Sequence, residues 1–388
     1  MIMNPLFFLV VGVFFLIYAG LNYYIGLRGW QALFSHQPFV NHYAYWLVFW
    51  LIALSYLAGR IGEKYYPGWL SHWLTLVGAY WLGAMFYFVL ILAGIDLIRL
   101  LDRLFRFLPG WARVAGIAPA VGLCVFLLVS GLLLFGAWNA RHPKVQRYHL
   151  ALPKPAGNLT QLHAVMVSDV HLGTIVKNGQ LVKMVDMVNS LKPDIVLFAG
   201  DVIDESVEPF VEQQMADSFR RLQSRYGVYA VLGNHEYIGG HAEEVVQYLR
   251  EAGVQVLRDQ YVKVAGSFYL AGRDDSSRER FGAGKRKDLA ALLSGVDRRA
   301  PLILLDHQPT DLENAQIQGV DLQLSGHTHL GQMFPNQLIT GRMYEDDWGL
   351  LRKGNLQVIV SSGFGTWGPP IRLGNSPEVV DIVLDFVH

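Results

Sequence analysis

The sequence predicts two folding units of different class, an all-α transmembrane region of about four helices and then an α/β domain. At 388 residues the chain exceeds the usual size of one domain. Hydrophobic residues make up 52% of it and charged residues 16%, whereas about a quarter are charged in ordinary soluble proteins. The apolar excess lies before Arg141. We therefore assign residues 1–145 to the membrane region and residues 149–388 to the second domain.

Composition also excludes two kinds of protein. The formal net charge is zero, so nothing indicates electrostatic capture of nucleic acid. The single cysteine, Cys124, lies inside an apolar run, which excludes a disulfide framework within one chain and is typical of a reducing compartment.

Four uncharged, apolar segments predict the transmembrane helices. Each approaches or exceeds the roughly 20 residues that a helix needs to cross a bilayer, and the second is the shortest. Tryptophans lie near several segment ends, where indole rings favour the membrane interface. The four predicted helices span residues 5–26, 42–59, 70–95 and 114–139.

An even number of spans places the N-terminus and the second domain on the same side of the membrane. Six basic residues flank the spans on that side and five on the other, which favours a cytoplasmic domain under the positive-inside rule. The lack of disulfides favours the same side.

The segment Asp96–Leu108 sets Arg99, Arg103 and Arg106 opposite a Leu/Phe face. This spacing resembles an amphipathic helix that lies on the membrane surface. Its arginines could contact lipid phosphates or simply form a positively charged membrane boundary, which is the interpretation that we favour.

From Leu162 onward, short apolar runs alternate with helical stretches, the pattern of an α/β domain. Helices are predicted near Gln180–Ser190, Glu212–Ser224 and Ala242–Ala252. The segment Gly282–Lys287 is predicted to be an exposed loop whose charges are solvated.

Five of the strand-like runs end in residue types that bind metals. Because the carboxyl ends of strands in open α/β sheets border one crevice, these loops are expected to converge. The clusters are Val167–His171, Gly200–Asp204, Gly233–Glu236, Asp306–His307 and Gly326–His329. Glycines before Asp201, Asn234 and His327 permit tight turns and close backbone approach.

Convergence of these loops would suit two divalent ions. The side chains brought together would be Asp169, His171, Asp201, Asn234, His307, His327 and His329. Imidazole and carboxylate bind Zn, Mn or Fe, and the absence of thiolates argues against a structural zinc site. A carboxylate shared by two ions can hold them about 3.5–4 Å apart, as in hydrolytic two-metal sites. Each motif alone is weak evidence for a metal site. The prediction depends on the occurrence of all five motifs in order, each after an apolar strand.

This series resembles the calcineurin-like metallophosphoesterase family from about His163 to the C-terminus, and no family motif is missing. The resemblance implies a four-layer α/β sandwich, in which two facing β-sheets are flanked by helices around a dinuclear centre. It implies that one ion is bound by Asp169, His171, Asp201 and His329, and the other by Asp201, Asn234, His307 and His327. It also implies that His235 protonates the leaving oxygen or stabilises the transition state, and that Asp204 orients His235 or a ligand. Manganese is the expected metal, with iron or zinc as alternatives.

The C-terminal motifs resemble the membrane-associated bacterial branch of that family, although Leu330 stands where a glycine is frequent. They are Gly326–Gln332, Ser361–Thr366, Pro370–Arg372 and Pro377–Glu378. This branch includes enzymes that hydrolyse the pyrophosphate of UDP-2,3-diacylglucosamine in lipid A synthesis. The resemblance implies a bacterial inner-membrane protein with an amphiphilic, phosphorylated substrate. Arg372 could bind a substrate phosphate or hold the last strand in place.

Three functions remain open on the sequence. The favoured one is metal-dependent hydrolysis of a phosphoester or pyrophosphate on a membrane-associated, lipid-linked substrate. The alternatives are a phosphodiesterase of a soluble nucleotide and a non-catalytic membrane scaffold on the same fold. A transporter is disfavoured because the spans carry no charged residue at mid-membrane, and no obligate protein partner is indicated.

Overall fold

A computed structural model describes residues 5–35, 37–66 and 68–387. Two compact units are present, one comprising residues 1–136 with 368–370, the other residues 137–367 with 371–388. We describe each unit separately, beginning with the membrane region.

The described part of the membrane region contains five α-helices. They are α1 (Pro5–Gly29), α2 (His42–Ala53), α3 (Ser55–Tyr65), α4 (Trp69–Phe105) and α5 (Ala118–Asn139). A π-helical turn, Trp30–Phe34, continues α1. The segment Leu9–Phe34 and helices α4 and α5 are each long and apolar enough to cross a membrane. Helices α2 and α3 would form a fourth span only if the bent pair crosses as one, so the structure supports three or four spans.

The pair α2 and α3 is bent by 50°. Asn41 begins α2 by accepting hydrogen bonds from the backbone N–H groups of Tyr43 and Ala44. At the break, the Ser55 hydroxyl donates to the carbonyl oxygen of Ile52 at 2.7 Å. Such serine-to-backbone bonds compete with the helical ladder and bend helices, which accounts for the break at Leu54.

Helix α4 corrects the prediction of a separate surface-lying helix at Asp96–Leu108. Its 37 residues run without a break to Phe105, a length of about 55 Å at 1.5 Å per residue. The sequence from Ile95 to Phe105 contains neither glycine nor proline, so nothing interrupts the ladder. The helix ends at Arg106, which adopts a left-handed conformation with φ 50°.

The second unit contains two six-stranded sheets, which confirms the predicted two-sheet α/β architecture. The strands are β1 (Lys144–Pro155), β2 (Gln161–Val167), β3 (Ile195–Ala199), β4 (Val228–Val231), β5 (Val254–Val256), β6 (Gln260–Val264), β7 (Phe268–Gly272), β8 (Leu302–Leu305), β9 (Leu322–Ser325), β10 (Gly349–Lys353), β11 (Leu356–Val360) and β12 (Glu378–Val387). The first sheet has the strand order β1-β12-β2-β3-β4-β5 and the second β10-β11-β9-β8-β7-β6.

Helices lie between most of these strands. They are α6 (Asn178–Leu191), α7 (Glu208–Glu212), α8 (Met215–Phe219), α9 (Asn234–Ile238), α10 (Ala242–Glu251), α11 (Ser277–Arg280), α12 (Leu289–Leu292), α13 (Leu312–Ile317) and α14 (Gln337–Met343). The single helix predicted near Glu212–Ser224 is instead the pair α7 and α8. Gln214, with φ 51°, adopts a left-handed conformation between them that stops the first helix.

Parallel strands form the centre of each sheet and carry continuous apolar sequence. β2, β3, β4 and β5 pair in parallel, as do β7, β8, β9 and β11. Every residue of β3, β8 and β9 is buried, as expected for strands covered on both faces. One hydrophobic cluster combines residues of both sheets, and two others join each sheet to its own helices. This packing aligns the carboxyl ends of the parallel strands.

Three strands, β1, β6 and β10, do not coincide with any of the short apolar runs from which the sequence predicts strands. β1 begins at Lys144 and pairs in parallel with β12 at the edge of the first sheet. From Arg147 onward its side chains alternate between more exposed and more buried, because successive side chains point to opposite faces of the sheet and one face is solvated there. Such alternation over mixed polar and apolar residues is a weaker signal than the apolar runs of the central strands.

Candidate metal centre

The predicted ligands follow the carboxyl ends of five strands and come together in the structure. Three groups of side chains each have potential ligand atoms that all lie within 4.8 Å of one another. The groups are Asp169, His171 and His329; Asp201, His307 and His327; and His171, Asp204 and His235. Loops separated by up to about 160 residues in the chain therefore converge at one site.

In the first group, two imidazole nitrogens face each other. His171 Nε2 lies 3.0 Å from His329 Nε2, and the latter lies 3.3 Å from Asp169 Oδ1. Ligands of one ion at about 2.0–2.1 Å are themselves separated by about 3 Å. The spacing of these buried atoms therefore fits a divalent cation bound between them.

In the second group, the His307 ring is oriented by the backbone. Its Nδ1 is hydrogen-bonded to the carbonyl oxygen of Ala199 at 2.8 Å, which directs Nε2 toward Asp201 Oδ2 at 3.2 Å and Asn234 Oδ1 at 3.3 Å. The His327 ring meets the His307 ring edge to face at 5.2 Å. A carbonyl that fixes the second nitrogen of a histidine is the usual support of a metal ligand.

Asp201 lies between the two groups. Its Oδ2 is 3.2 Å from His307 Nε2 and 3.8 Å from His171 Nε2, while its Oδ1 accepts the backbone N–H of His235 at 2.9 Å. Burial would raise the pKa of this carboxyl, but the surrounding imidazoles, first His307, hold it well below its usual range. The position fits a carboxylate shared by two cations.

The pKa values of the candidate histidine ligands differ because the charges around each imidazole differ. Burial, followed by repulsion from His171 and Arg372, holds the pKa of His329 well below its usual range, so its imidazole is neutral, the form that binds metals. Burial and His307 likewise lower the pKa of His327. For His307 burial acts in the same direction, but the facing Asp201 carboxylate raises the pKa well above its usual range.

His235 and Asp204 form a pair beside the first group. His235 Nδ1 lies 2.9 Å from Asp204 Oδ1, and the His235 ring meets the His171 ring edge to face at 4.5 Å. Burial lowers the pKa of His235, but Asp204 and Asp201 overcome this and raise it to about 9. A protonated imidazole at this position can donate a proton or a hydrogen bond, the role that the family resemblance implies.

Five of the candidate ligands adopt a left-handed backbone conformation. Their φ angles range from 50° to 73°, values that non-glycine residues seldom adopt. The residues are Asp169, His171, Asp201, His327 and His329. Carboxylate hydrogen bonds hold the strained loops, since Asp169 accepts the His327 N–H at 3.0 Å. Such strain concentrates at functional sites, where surrounding contacts enforce it.

The three glycines before Asp201, Asn234 and His327 allow the close approach of the loops that the sequence predicted. A Cβ on Gly200 would lie 2.4 Å from His307 Nδ1. A Cβ on Gly326 would lie 2.2 Å from Asp169 Oδ2, and a Cβ on Gly233 would lie 2.1 Å from Asp201 Oδ1. Any side chain at one of these positions would displace a candidate ligand.

Glu236 is a site residue to which the sequence assigned no role. Its buried carboxylate accepts the Gly233 N–H at 2.7 Å and the Ile203 N–H at 3.0 Å. It thus joins the loop after β3 to the loop after β4. Its place in the Gly-Asn-His-Glu motif could have indicated that Glu236 belongs to the site. Its hydrogen bond to Ile203 depends on tertiary packing and could not be predicted from the motif.

Arg372 lies behind the site and has no exposed surface. Its guanidinium donates to the carbonyl oxygens of Gly363 and Gly365 at 3.1 and 2.7 Å and lies 3.2 Å from His329 Nδ1. Burial lowers its pKa to about 10, so it stays charged at neutral pH. These contacts give Arg372 a structural role in the loop after β11, rather than on the last strand, and they favour that role over contact with a substrate phosphate.

The segment Gly282–Lys287 is exposed as predicted, except at Arg286, whose charge is paired rather than solvated. Arg286 pairs with Asp306, the buried neighbour of His307, at 3.1 Å. The Lys287 N–H donates to Asp259 at 2.8 Å. Within this segment every residue except Arg286 is exposed, and Arg286 differs because its guanidinium meets the buried carboxylate of Asp306.

A pocket of about 470 Å³ opens over the candidate centre. Its lining includes Asp201, Asn234, His235, His327 and His329. Its apolar lining residues are Ile238, Ile339, Met343 and Trp367, with side chains between 40% and 69% exposed. We call these four the apolar wall. One pocket therefore combines metal-binding side chains with solvent-exposed apolar surface.

The chain is similar in sequence to known metallophosphoesterases. A family model described as calcineurin-like phosphoesterase matches residues 162–331. A transmembrane protein with metallophosphoesterase domain from Danio rerio is 32% identical over 329 residues, which covers 81% of this chain and 74% of the relative. An uncharacterized metallophosphoesterase from Aquifex aeolicus is 35% identical over 245 residues, 62% of this chain and 91% of the relative. Another from Helicobacter pylori is 28% identical over 379 residues, 96% of this chain and 97% of the relative.

Proposed function

Because the chain belongs to the calcineurin-like metallophosphoesterase family, we propose that it hydrolyses a phosphoester or pyrophosphate bond at a dinuclear metal centre, on a membrane-associated, lipid-linked substrate. Family membership implies metal-dependent phosphoester hydrolysis. The apolar helices and the transmembrane relatives indicate a membrane protein.

The position of Asp201 carries the proposal. One of its carboxylate oxygens faces His307 at 3.2 Å and His171 at 3.8 Å. A shared carboxylate is the device that holds two ions about 3.5–4 Å apart in hydrolytic sites. The donor set of carboxylate, amide oxygen and imidazole suits Mn²⁺, which we propose as the metal, with iron or zinc as alternatives.

The two ions would neutralise charge on the phosphoryl oxygens and lower the pKa of the attacking water. The chain's own residues supply the remaining steps. His235, kept protonated by Asp204 at 2.9 Å, is placed to protonate the leaving oxygen, a contribution typically of about 10²–10⁴-fold. Asp204 is the positioning residue because it orients the His235 ring.

The apolar wall supports a lipid-linked substrate. A soluble phosphoester offers little apolar surface, and exposed apolar side chains beside a reactive site commonly mark a ligand-binding surface. Only residues 140–143 separate α5 from β1, so the domain is tied closely to a membrane-spanning helix. Such a tether raises the local concentration of a substrate in the bilayer.

The proposed setting is the inner membrane of a bacterium, with the phosphoesterase domain on the cytoplasmic side. The favoured partner is an amphiphilic phosphorylated molecule, and the proposal requires neither nucleic acid nor an obligate protein partner. The two alternatives are a phosphodiesterase of a soluble nucleotide and a non-catalytic scaffold. Retention of His235 and of the predicted ligand set argues against the scaffold.

The test is hydrolysis by the full chain in detergent. After its metals are removed by chelation and Mn²⁺ is added, the protein should cleave bis-p-nitrophenyl phosphate. In a screen of substrates, kcat/KM should be higher for lipid pyrophosphates or phospholipids than for nucleotides. Asp201→Asn should abolish activity and reduce bound metal, because the shared charge is lost. Asp217→Asn, an exposed carboxylate on α8, is the matched control. Absence of any metal-dependent turnover would favour the scaffold, and preference for nucleotides the soluble substrate.

A further inference from the structure

A second cavity, of about 690 Å³, lies within the membrane region. Its walls come from α1, α2, α4, α5 and the π-helical turn, and they are largely aromatic and aliphatic. Aromatic side chains in the lining include Phe34, Tyr45, Phe49, Trp81 and Phe88. The volume falls within the roughly 300–1,000 Å³ of small-molecule binding sites.

Three charged residues line one part of this cavity. Arg28, in the last turn of α1, pairs with Asp96 of α4, and the Tyr24 hydroxyl donates to the same carboxylate at 2.6 Å. Arg99, also lining the cavity, lies 3.9 Å from the other Asp96 oxygen. Two guanidinium groups thus share one carboxylate, which leaves an excess of one positive charge. A ligand with a single negative charge would complement it.

The backbone beside these charges is also unusual. The π-helical turn contributes Gln31, Ala32, Leu33 and Phe34 to the lining. π-Helices are rare and occur frequently at functional sites. On the facing helix α5, a Cβ on Gly122 would lie 2.8 Å from the Ala32 Cβ, so the turn packs tightly against α5 at one point while the cavity stays open beside it.

We propose that this cavity binds one anionic membrane phospholipid, with its acyl chains along the aromatic walls and its phosphate at Arg28 and Arg99. The walls belong to segments apolar enough to span a bilayer, which supplies this ligand. A guanidinium pairs with phosphate through parallel hydrogen bonds, and basic residues at a membrane boundary favour anionic lipids. The site is separate from the candidate metal centre and does not depend on phosphoester hydrolysis.

The proposal predicts selective lipid retention by the full chain. Purified protein, stripped of lipid in detergent, is mixed with equal amounts of phosphatidylglycerol and phosphatidylcholine and examined by native mass spectrometry. We expect one phosphatidylglycerol per chain in preference to phosphatidylcholine. Arg99→Gln should weaken that preference about fivefold, the effect of one basic residue near a membrane surface. Arg103→Gln removes the same charge one turn further along α4, outside the cavity lining, and should leave the preference unchanged.

A second variant separates a defined site from diffuse attraction. Val121→Trp would fill the cavity from α5 and should reduce retention of both lipids. Helical circular dichroism and gel-filtration elution that match the wild type would show that each variant is folded. Equal losses for Arg99→Gln and Arg103→Gln, no preference between the lipids, or unchanged retention in a folded Val121→Trp protein would each overturn the proposal.

Discussion

His235 combines a buried imidazole with a carboxylate partner, yet it lies outside the two ligand sets that the family resemblance implies. Its Nδ1 is 2.9 Å from Asp204 Oδ1, so Nε2 remains available to a substrate. We expect His235→Asn to lower kcat by about 10²–10⁴-fold while both metal ions stay bound. The loss should be larger for esters with poor leaving groups, because those depend most on protonation.

Metal analysis and kinetics with a series of aryl phosphodiesters would check this expectation. If metal content falls together with activity, His235 is a ligand and the assigned role is wrong. An equal loss for good and poor leaving groups would instead indicate transition-state stabilisation without proton transfer.

Glu236 illustrates how a buried carboxylate supports the neighbouring loops. It accepts two backbone N–H groups, from Gly233 and Ile203. In Glu236→Gln one carboxylate oxygen becomes an amide donor facing an N–H donor, which leaves a buried group unsatisfied at a cost of about 1–3 kcal/mol. We therefore expect a lower unfolding temperature of the α/β unit in thermal denaturation.

Glu212→Gln is the control for this change, because Glu212 is exposed at the end of α7. A surface substitution of this kind should alter stability by no more than about 0.5 kcal/mol. Equal unfolding temperatures for Glu236→Gln and the wild type would show that the loops do not depend on this carboxylate.

At the scale of elements, helix α14 forms one side of the pocket over the candidate metal centre. Ile339 and Met343 project from it into the lining, whereas Leu338 is equally exposed but does not line the pocket. Burying such a side chain against an acyl chain contributes about 1.5–3 kcal/mol. We expect Met343→Ser to lower kcat/KM for a long-chain substrate by about tenfold or more and to leave hydrolysis of bis-p-nitrophenyl phosphate unchanged.

Leu338→Ser is the matched control on the same helix and should affect neither substrate. Parallel kinetics on the long-chain and short-chain substrates would measure both variants. A uniform loss on both substrates would indicate that α14 supports the fold of the site rather than binding an apolar chain.

At the scale of the whole molecule, the bent pair α2 and α3 decides the topology. If it crosses the membrane as one span, the chain has four spans and its N-terminus shares a side with the phosphoesterase domain. We expect this arrangement, with both on the cytoplasmic side, because six flanking basic residues face that side and five the other.

Fusions of green fluorescent protein and alkaline phosphatase to each end of the full chain would test it. Fluorescence from both terminal fusions, without phosphatase activity, is the expected result. Opposite sides for the two ends would show three spans, with α2 and α3 re-entering the same face.

The sequence alone determined the identity of the predicted ligands and the apolar character of the membrane region. Each motif follows a short apolar run, and strand, turn and ligand are neighbours in the chain, so local pattern suffices. The same holds for Gly233 and Gly326, whose positions before Asn234 and His327 predicted close backbone approach, although the sequence did not predict that Asp201 and Asp169 would be their neighbours. Membrane-spanning helices can also be recognised from consecutive residues, because the bilayer requires a minimum length and an apolar composition of each span.

Only the tertiary structure decided which atoms meet. The place of one Asp201 oxygen between His307 and His171, and the burial of Arg372 behind His329, depend on how two sheets pack. The ion pair of Arg286 with Asp306 joins residues whose pairing no local pattern encodes. Side-chain burial and cross-chain distance are properties of packing between distant segments, and for that reason the sequence predicted the donors while the fold arranged them.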